Sequence, residues 1–372
     1  MARWTFEVYK HLHRETDVTV FGFPTDPNTC YALPHESSSW WKVCVAISRI
    51  RGIARFDEEI WLRALLKRLH HFDVVHVHNR PQWAAMLRRM GYRGRIIVHL
   101  HNDHLGHWTP EALNALVPKL DALVVCSTYL GQRSSSKSSA LAAKTELIFN
   151  GVNAKMFYPN EHLRERKTIF FVGQFLPQKG VLQLVEAFAR VLQVHGDAKL
   201  VIGGSANFGI DKETPYIRQV RERAEQIRRK LGTEIQFLGS VHHDKELPAW
   251  FQRATVFTSP SLFQEPFGLV NAEAMACATP VVGTNRGGVP EVLGEAGVVI
   301  DPENIPEYAA VLIRLLADPA ECRQLGQAAR ERSERLFDWQ VIADRWLLFL
   351  WKVKAMGGLN DESHDSDRLV LK

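Results

Sequence analysis

The sequence predicts an α/β protein made of two doubly wound parallel sheets, and three observations carry that prediction. At 372 residues the chain is long enough for two domains of ordinary size. Apolar strand-like runs alternate with helix-like stretches and end in polar residues, as in Asp73-Val74-Val75-His76-Val77-His78-Asn79. Strands of a parallel sheet are buried on both faces and place their site along the carboxyl edge. The Asn150-Gly151 turn dipeptide then separates two such series.

Composition narrows the class. With 46% hydrophobic and 23% charged residues the chain reads as globular. No apolar run reaches the roughly 18 residues that a membrane-spanning helix needs. The start, Met1-Ala2-Arg3-Trp4, lacks the apolar core of a signal peptide, so a cytoplasmic location is expected. Cys30, Cys44, Cys126, Cys277 and Cys322 are scattered, without the paired spacing of a zinc or redox site.

The net charge of +5 is uneven: residues 1–160 hold 20 Lys and Arg against 13 Asp and Glu. Arg63, Lys67, Arg68, Arg88, Arg89, Arg93 and Arg95 are interleaved with Trp61, Leu65, Leu66, Trp83 and Met86. That pattern suits peripheral contact with an anionic membrane or an acidic glycolipid, and equally the solvated faces of ordinary helices. No nucleic-acid-binding module accompanies it, so no nucleic-acid partner is expected.

In chain order, a helix over Arg3 to His13 leads into strand Asp17 to Gly22, and residues 24–40 read as a loop. An amphipathic stretch from Phe56 to His71 precedes the strand at 73–79; the strands at Arg95 to Asp103 and Ala122 to Ser127 follow. His76 with His78, and His99 with His101, each share a strand face, which raises a metal site. Neither strand offers the remaining ligands at a recognisable spacing, so no metal is expected. The second series opens at Thr168 to Gly180 as strand, loop and helix start. It continues through the strand at 198–204, a polar insert at 207–214, a charged helix from Thr214 to Leu231 and the strand Ile235 to Ser240.

The stretch that organises the chain follows strand Ala254 to Pro260 and runs from Ser261 to Ala276. Pro266 fits the first position of a helix, so Phe267 to Leu269 are expected to begin one. Their N–H groups lack intrahelical acceptors and sit at the positive end of the helix dipole, where a diphosphate is stabilised. Gly268 admits a ligand close to the backbone. Glu265 and Glu273 can flank whatever docks there, as acceptors for sugar hydroxyls. After the signature, Thr279 to Thr284 reads as a strand and Trp339 to Ala355 as a last helix whose charges argue against a membrane span.

Glu265-Pro266-Phe267-Gly268-Leu269-Val270-Asn271-Ala272-Glu273-Ala274-Met275-Ala276 resembles the signature of retaining family 4 glycosyltransferases of the GT-B fold, two Rossmann-like domains facing a cleft. Gly173-Gln174 through Lys179-Gly180 resembles the family's diphosphate loop, Asn150-Gly151-Val152-Asn153 its domain connection, and Gly287-Gly288-Val289-Pro290-Glu291 the loop after the signature. The resemblance implies an acceptor-binding domain over 1–157 and a nucleotide-sugar domain over 158–338. It further implies a helix over 339–356 returning to the first domain, and leaves a disordered tail over 357–372. It gives catalytic roles to Lys179, Glu265 and His101, and donor-binding roles to Gly173, Gln174, Lys179, Phe267, Gly268, Leu269 and Glu273. Gln174 stands where Arg is usual and cannot make a bidentate charged grip. Relatives also place a strand and a glycine-rich loop before the first helix. A gap in the sheet is therefore expected, together with an upstream segment holding an apolar run and a Gly-Gly turn.

The implied activity is transfer of a glucose or N-acetylglucosamine type hexosyl group, with retention, from a UDP-linked donor to a saccharide or glycolipid. The Val98-His99-Leu100-His101-Asn102 run leans toward the lipopolysaccharide-core subgroup at the inner face of the cytoplasmic membrane. No cofactor is implied, and Asp365-Ser366-Asp367 is read as an accidental match to a metal-binding motif. A non-catalytic sugar-nucleotide or glycan-binding scaffold and a GT-B sugar-nucleotide epimerase are the alternatives.

Overall fold

The structure is a computed structural model that describes residues 2–12, 16–23, 30–32, 41–48, 55–69, 71–206, 213–233 and 235–355. The Asp365-Ser366-Asp367 motif, the expected disordered tail and most of the 207–214 insert lie outside the described residues.

The first half contains strands β1 (Thr16–Phe23), β2 (Cys30–Ala32), β3 (Trp41–Ser48), β4 (Val74–His78), β5 (Arg95–Leu100), β6 (Ala122–Val125) and β7 (Thr145–Leu147). They form a seven-stranded sheet in the order β2-β1-β3-β4-β5-β6-β7. Only β2 is antiparallel to its neighbour. The central runs are apolar because helices cover both faces; Val74, Val75, Val77, Ile96, Ile97, Val98, Leu123 and Val124 are all fully buried. Around them stand α1 (Ala2–His11), α2 (Arg55–Leu69), α3 (Pro81–Arg89), α4 (Pro110–Leu116), α5 (Thr128–Ser135) and α6 (Ser139–Ala142).

Two expectations change here. The loop expected over 24–40 contains the short strand β2. The gap expected in the sheet is closed by β3, whose eight residues pair in parallel with β1 on one side and whose Val43 to Ile47 pair with β4 on the other. Unpaired inner backbone groups, costly when buried, are thus avoided at that position.

The second half contributes β8 (Thr168–Val172), β9 (Lys199–Gly203), β10 (Ile235–Gly239), β11 (Val256–Ser259), β12 (Val281–Thr284) and β13 (Val298–Ile300). They make a six-stranded sheet ordered β10-β9-β8-β11-β12-β13, parallel throughout. Its helices are α7 (Val181–Val194), α8 (Pro215–Leu231), α9 (Leu247–Arg253), α10 (Leu269–Ala276), α11 (Val289–Leu293), α12 (Ile305–Ala317) and α13 (Pro319–Phe337).

The last helix, α14 (Trp339–Ala355), returns to the first half. Trp339, Ile342, Ala343, Trp346, Phe349, Leu350 and Val353 recur at helical spacing and are buried, while Leu348 on the opposite face is exposed. Val152 bridges Asp338, with the Val152 N–H donating to the Phe337 carbonyl at 2.7 Å. A second link lies at the carboxyl edges: Glu291 of α11 accepts from the backbone N–H and the hydroxyl of Thr128, both at 2.7 Å, at the start of α5. Among the described residues no helix is long and apolar enough to cross a membrane.

Candidate functional site

The carboxyl ends of β8 and β11 carry the loops that meet. Beyond β8, Gly173 donates its N–H to the Gly203 carbonyl at 3.1 Å, which ties the loop to the end of β9. Gln174 follows, half-buried, and a short turn, Pro177–Lys179, precedes α7. Gly180 joins turn to helix in the left-handed region, at φ 71°. A Cβ there would run into the Pro260 carbonyl oxygen, so only glycine lets the two loops touch. The Leu262 N–H and the Ser261 hydroxyl both donate to the Gln178 carbonyl, at 2.8 and 3.1 Å. That contact delivers the Lys179 ammonium onto Oε1 of Glu265 as an ion pair, and the Ser261 hydroxyl oxygen lies 3.3 Å from the same oxygen.

The signature helix starts later than its proline suggests. Pro266 and Phe267 lie outside it, Gly268 caps it in the left-handed conformation at φ 78°, ψ 61°, and Leu269 is its first residue. The Pro266 position gave way because a residue with positive φ cannot continue a right-handed helix. The available first-turn amides are therefore those of Leu269 and Val270, since Asn271 donates to the Gly268 carbonyl at 2.9 Å. The Phe267 side chain is buried, its ring 6.1 Å from that of Phe149 and 5.4 Å from that of Phe337.

Glu273, one helical turn on, is only 3% exposed. Its Oε1 lies 2.7 Å from Nε2 of His243, whose Nδ1 lies 2.6 Å from Oδ1 of Asp244. His243 was not singled out in the sequence; the available signal was a His beside an Asp in the loop after β10.

The first half brings its histidines together. The in-register pair His78 and His99 on β4 and β5 places His76, His78 and His99 so that one nitrogen of each lies within 4.8 Å of the others. The reason for expecting no metal, that neither strand holds enough ligands, is corrected by this pooling, and the grouping could hold an ion. The hydrogen bonds define a proton arrangement that uses most of these nitrogens. Asn150 Oδ1 accepts from His101 Nδ1 at 2.8 Å, His101 Nε2 accepts from His78 Nδ1 at 3.0 Å, and His78 Nε2 lies 3.2 Å from the Thr5 hydroxyl. In parallel, the Tyr9 hydroxyl lies 3.2 Å from His76 Nδ1, and His76 Nε2 lies 3.3 Å from His99 Nδ1. His99 Nε2 alone of these ring nitrogens has no hydrogen-bond partner among the described residues. Burial holds His76, His78 and His99 well below the usual imidazole range, and it pushes His101 down to about 3 against the opposing pull of the Asn150 hydrogen bond. All four rings are therefore neutral at pH 7. Both nitrogens of His101 are engaged by protein groups, an arrangement that its expected place beside a sugar did not foresee.

Comparison with known proteins agrees with this architecture. The family description "Glycosyl transferases group 1" matches residues 154–332, and "Glycosyltransferase Family 4" matches residues 1–155. Spore coat protein SA of Bacillus subtilis is 30% identical over 313 residues, 79% of this chain and 81% of that protein. Glycogen synthase of Mycobacterium tuberculosis is 30% identical over 291 residues, 73% of this chain and 66% of that protein. Among solved structures, sucrose-phosphate synthase from Thermosynechococcus elongatus superposes with a TM-score of 0.71 at 21% identity, covering 92% of this chain and 100% of that one. Anabaena HepE in complex with UDP gives 0.69 at 18% identity, covering 84% and 92%. With two sheets of the GT-B arrangement and matching family descriptions over both halves, the chain belongs to the group 1 glycosyl transferases.

Proposed function

We propose that this glycosyltransferase takes a UDP-linked hexose of the glucose or N-acetylglucosamine type and transfers it, with retention, to a saccharide or glycolipid hydroxyl. The observation that carries the reading is the convergence of the Lys179 loop, Glu265 and the start of α10 at the carboxyl edge of one sheet, with Glu273 buried behind them. Departure of a nucleoside diphosphate places negative charge on the leaving group. The Lys179 ammonium and the Leu269 and Val270 amides are donors fixed in advance for that charge. Gly173 and Gln174 line the same loop, and Glu273 accepts from the ribose. Glu265, oriented by Lys179 and Ser261, holds the transferred sugar. His101 belongs to the edge of the first half, where the acceptor domain, residues 1–157, meets the donor domain, 158–338.

We place the role in cell-envelope glycan synthesis, on the strength of the Val98-His99-Leu100-His101-Asn102 run. Membrane contact has narrower support, because Arg63 and Arg89 pair with Glu59, and Arg88 and Arg95 with Asp121. Incubation with UDP-, ADP- and GDP-linked sugars, following nucleotide release with and without acceptor glycans, tests the reading, and NMR of the product reads its anomeric configuration. Acceptor-dependent release of UDP with retention is expected. An epimerised free sugar, or tight nucleotide binding without turnover, would point instead to the epimerase or the scaffold.

A further inference from the structure

A carboxylate taken out of water needs a compensating partner, and Glu273 is 97% removed from it by its 3% exposure. The partner is His243, in the turn between β10 and α9. Its ring spans two acids: Nε2 is 2.7 Å from Glu273 Oε1 and Nδ1 is 2.6 Å from Asp244 Oδ1. Its third constraint is the Phe157 ring, edge-to-face at 5.3 Å and 82°, which comes from the connection between the two sheets. An imidazole held by two carboxylates and an aromatic edge has one orientation available. A carboxylate offers no donor, so the imidazole, with one nitrogen at each acid, is the group placed to donate toward Glu273. A carboxylate offers about four lone-pair sites. One is used by His243, and the others suit a pair of adjacent hydroxyls.

We propose that His243 is a positioning residue for the donor nucleotide. Backed by Asp244, it holds the Glu273 carboxylate in a single orientation, and so creates the preference for a ribose over a deoxyribose. The proposal rests on the reading of the donor site given above. His243 acts through Glu273 and has no part in the transfer step.

The test is calorimetric titration of the full chain with UDP and with dUDP, which differ by one hydroxyl, beside donor kinetics. Wild-type protein is expected to favour UDP by about tenfold or more, the value of one satisfied polar contact. In His243→Ala that ratio should fall toward one through loss of UDP affinity, with dUDP affinity little changed. The donor KM should rise while kcat stays within about threefold, a loss of binding common to ground and transition states. His243→Gln keeps a donor toward Glu273 and should restore most of the ratio, and melting temperatures confirm that each variant is folded. Equal discrimination in wild type and His243→Ala overturns the proposal and leaves the donor reading intact. An equal loss of UDP and dUDP affinity also overturns it, since that marks a merely structural role. If wild-type protein binds none of UDP, ADP or GDP, the donor reading fails and the proposal falls with it.

Discussion

Trp346 on the last helix donates its indole N–H to the Tyr9 hydroxyl on the first, at 3.1 Å, and the same hydroxyl lies 3.2 Å from His76 Nδ1. Residues 337 positions apart are thereby joined to a strand of the first sheet. All three are buried, and Trp4 stacks edge-on against His76, His78, His99 and Trp346. Tyr9→Phe keeps the shape but strands two buried polar groups, so a loss of about 1–3 kcal/mol for each is expected from the cost of unsatisfied partners. Trp346→Ala should cost more, about 3–5 kcal/mol, through the cavity it leaves. Urea unfolding of each variant measures both; a Tyr9→Phe protein as stable as wild type would show that the bridge adds nothing.

The same cluster makes stability depend on pH. His76, His78, His99 and His101 all have folded pKa values lowered by burial, that of His101 to about 3. The unfolded chain takes up protons below about pH 6.5, whereas the folded chain does not, so unfolding binds protons and stability falls with pH. The contribution is complete above pH 6.5 and is lost progressively as pH drops toward 3. Each ring costs about 1.4 kcal/mol per pH unit within that window, so four together make a steep slope. Denaturation curves between pH 7.5 and 4.5 should show it, and His78→Gln should flatten it. A midpoint independent of pH over that range would contradict the neutral assignment.

At the proposed donor site, Lys179→Ala removes the ammonium that the loop contact places beside Glu265, and kcat should fall by about two orders of magnitude, a barrier rise of roughly 3 kcal/mol. On the proposed mechanism an ammonium and helix amides carry the diphosphate charge, so activity should survive EDTA. Loss of activity in EDTA with recovery on adding Mn²⁺ would overturn that mechanism.

Sequence pattern made the parallel strands legible because burial on both faces leaves continuous apolar runs, as in Val74 to Val77 and Ile96 to Val98, and α14 because its buried positions recur at helical spacing. Strand β3 was missed: Trp41-Lys42-Val43-Cys44-Val45 follows the 24–40 loop but alternates only weakly between apolar and polar residues. The helix start was misplaced by the proline at 266, since Gly268 takes a left-handed conformation at φ 78° and the helix begins only at Leu269. Lys179, Glu265 and Glu273 were legible as motif members. The partner of Glu273 was not, because His243 reaches it by tertiary packing across 30 positions.

Gly180 connects the fold to the chemistry most directly. It holds φ 71° between the Pro177–Lys179 turn and α7, against the Pro260 carbonyl. Gly180→Ala imposes both a left-handed backbone, which costs a non-glycine residue about 1–2 kcal/mol, and a collision with backbone that cannot move aside as a flexible side chain would. The loops must separate, and the Lys179–Glu265 pair opens with them. The expected result is a folded protein with a melting temperature several degrees lower, and a loss of kcat comparable to that of Lys179→Ala. In Gly180→Ala/Lys179→Ala the two losses should not add, because both remove the same ammonium from the same place. Additive losses in the double variant would mean that Gly180 supports the reaction by a route other than placing Lys179.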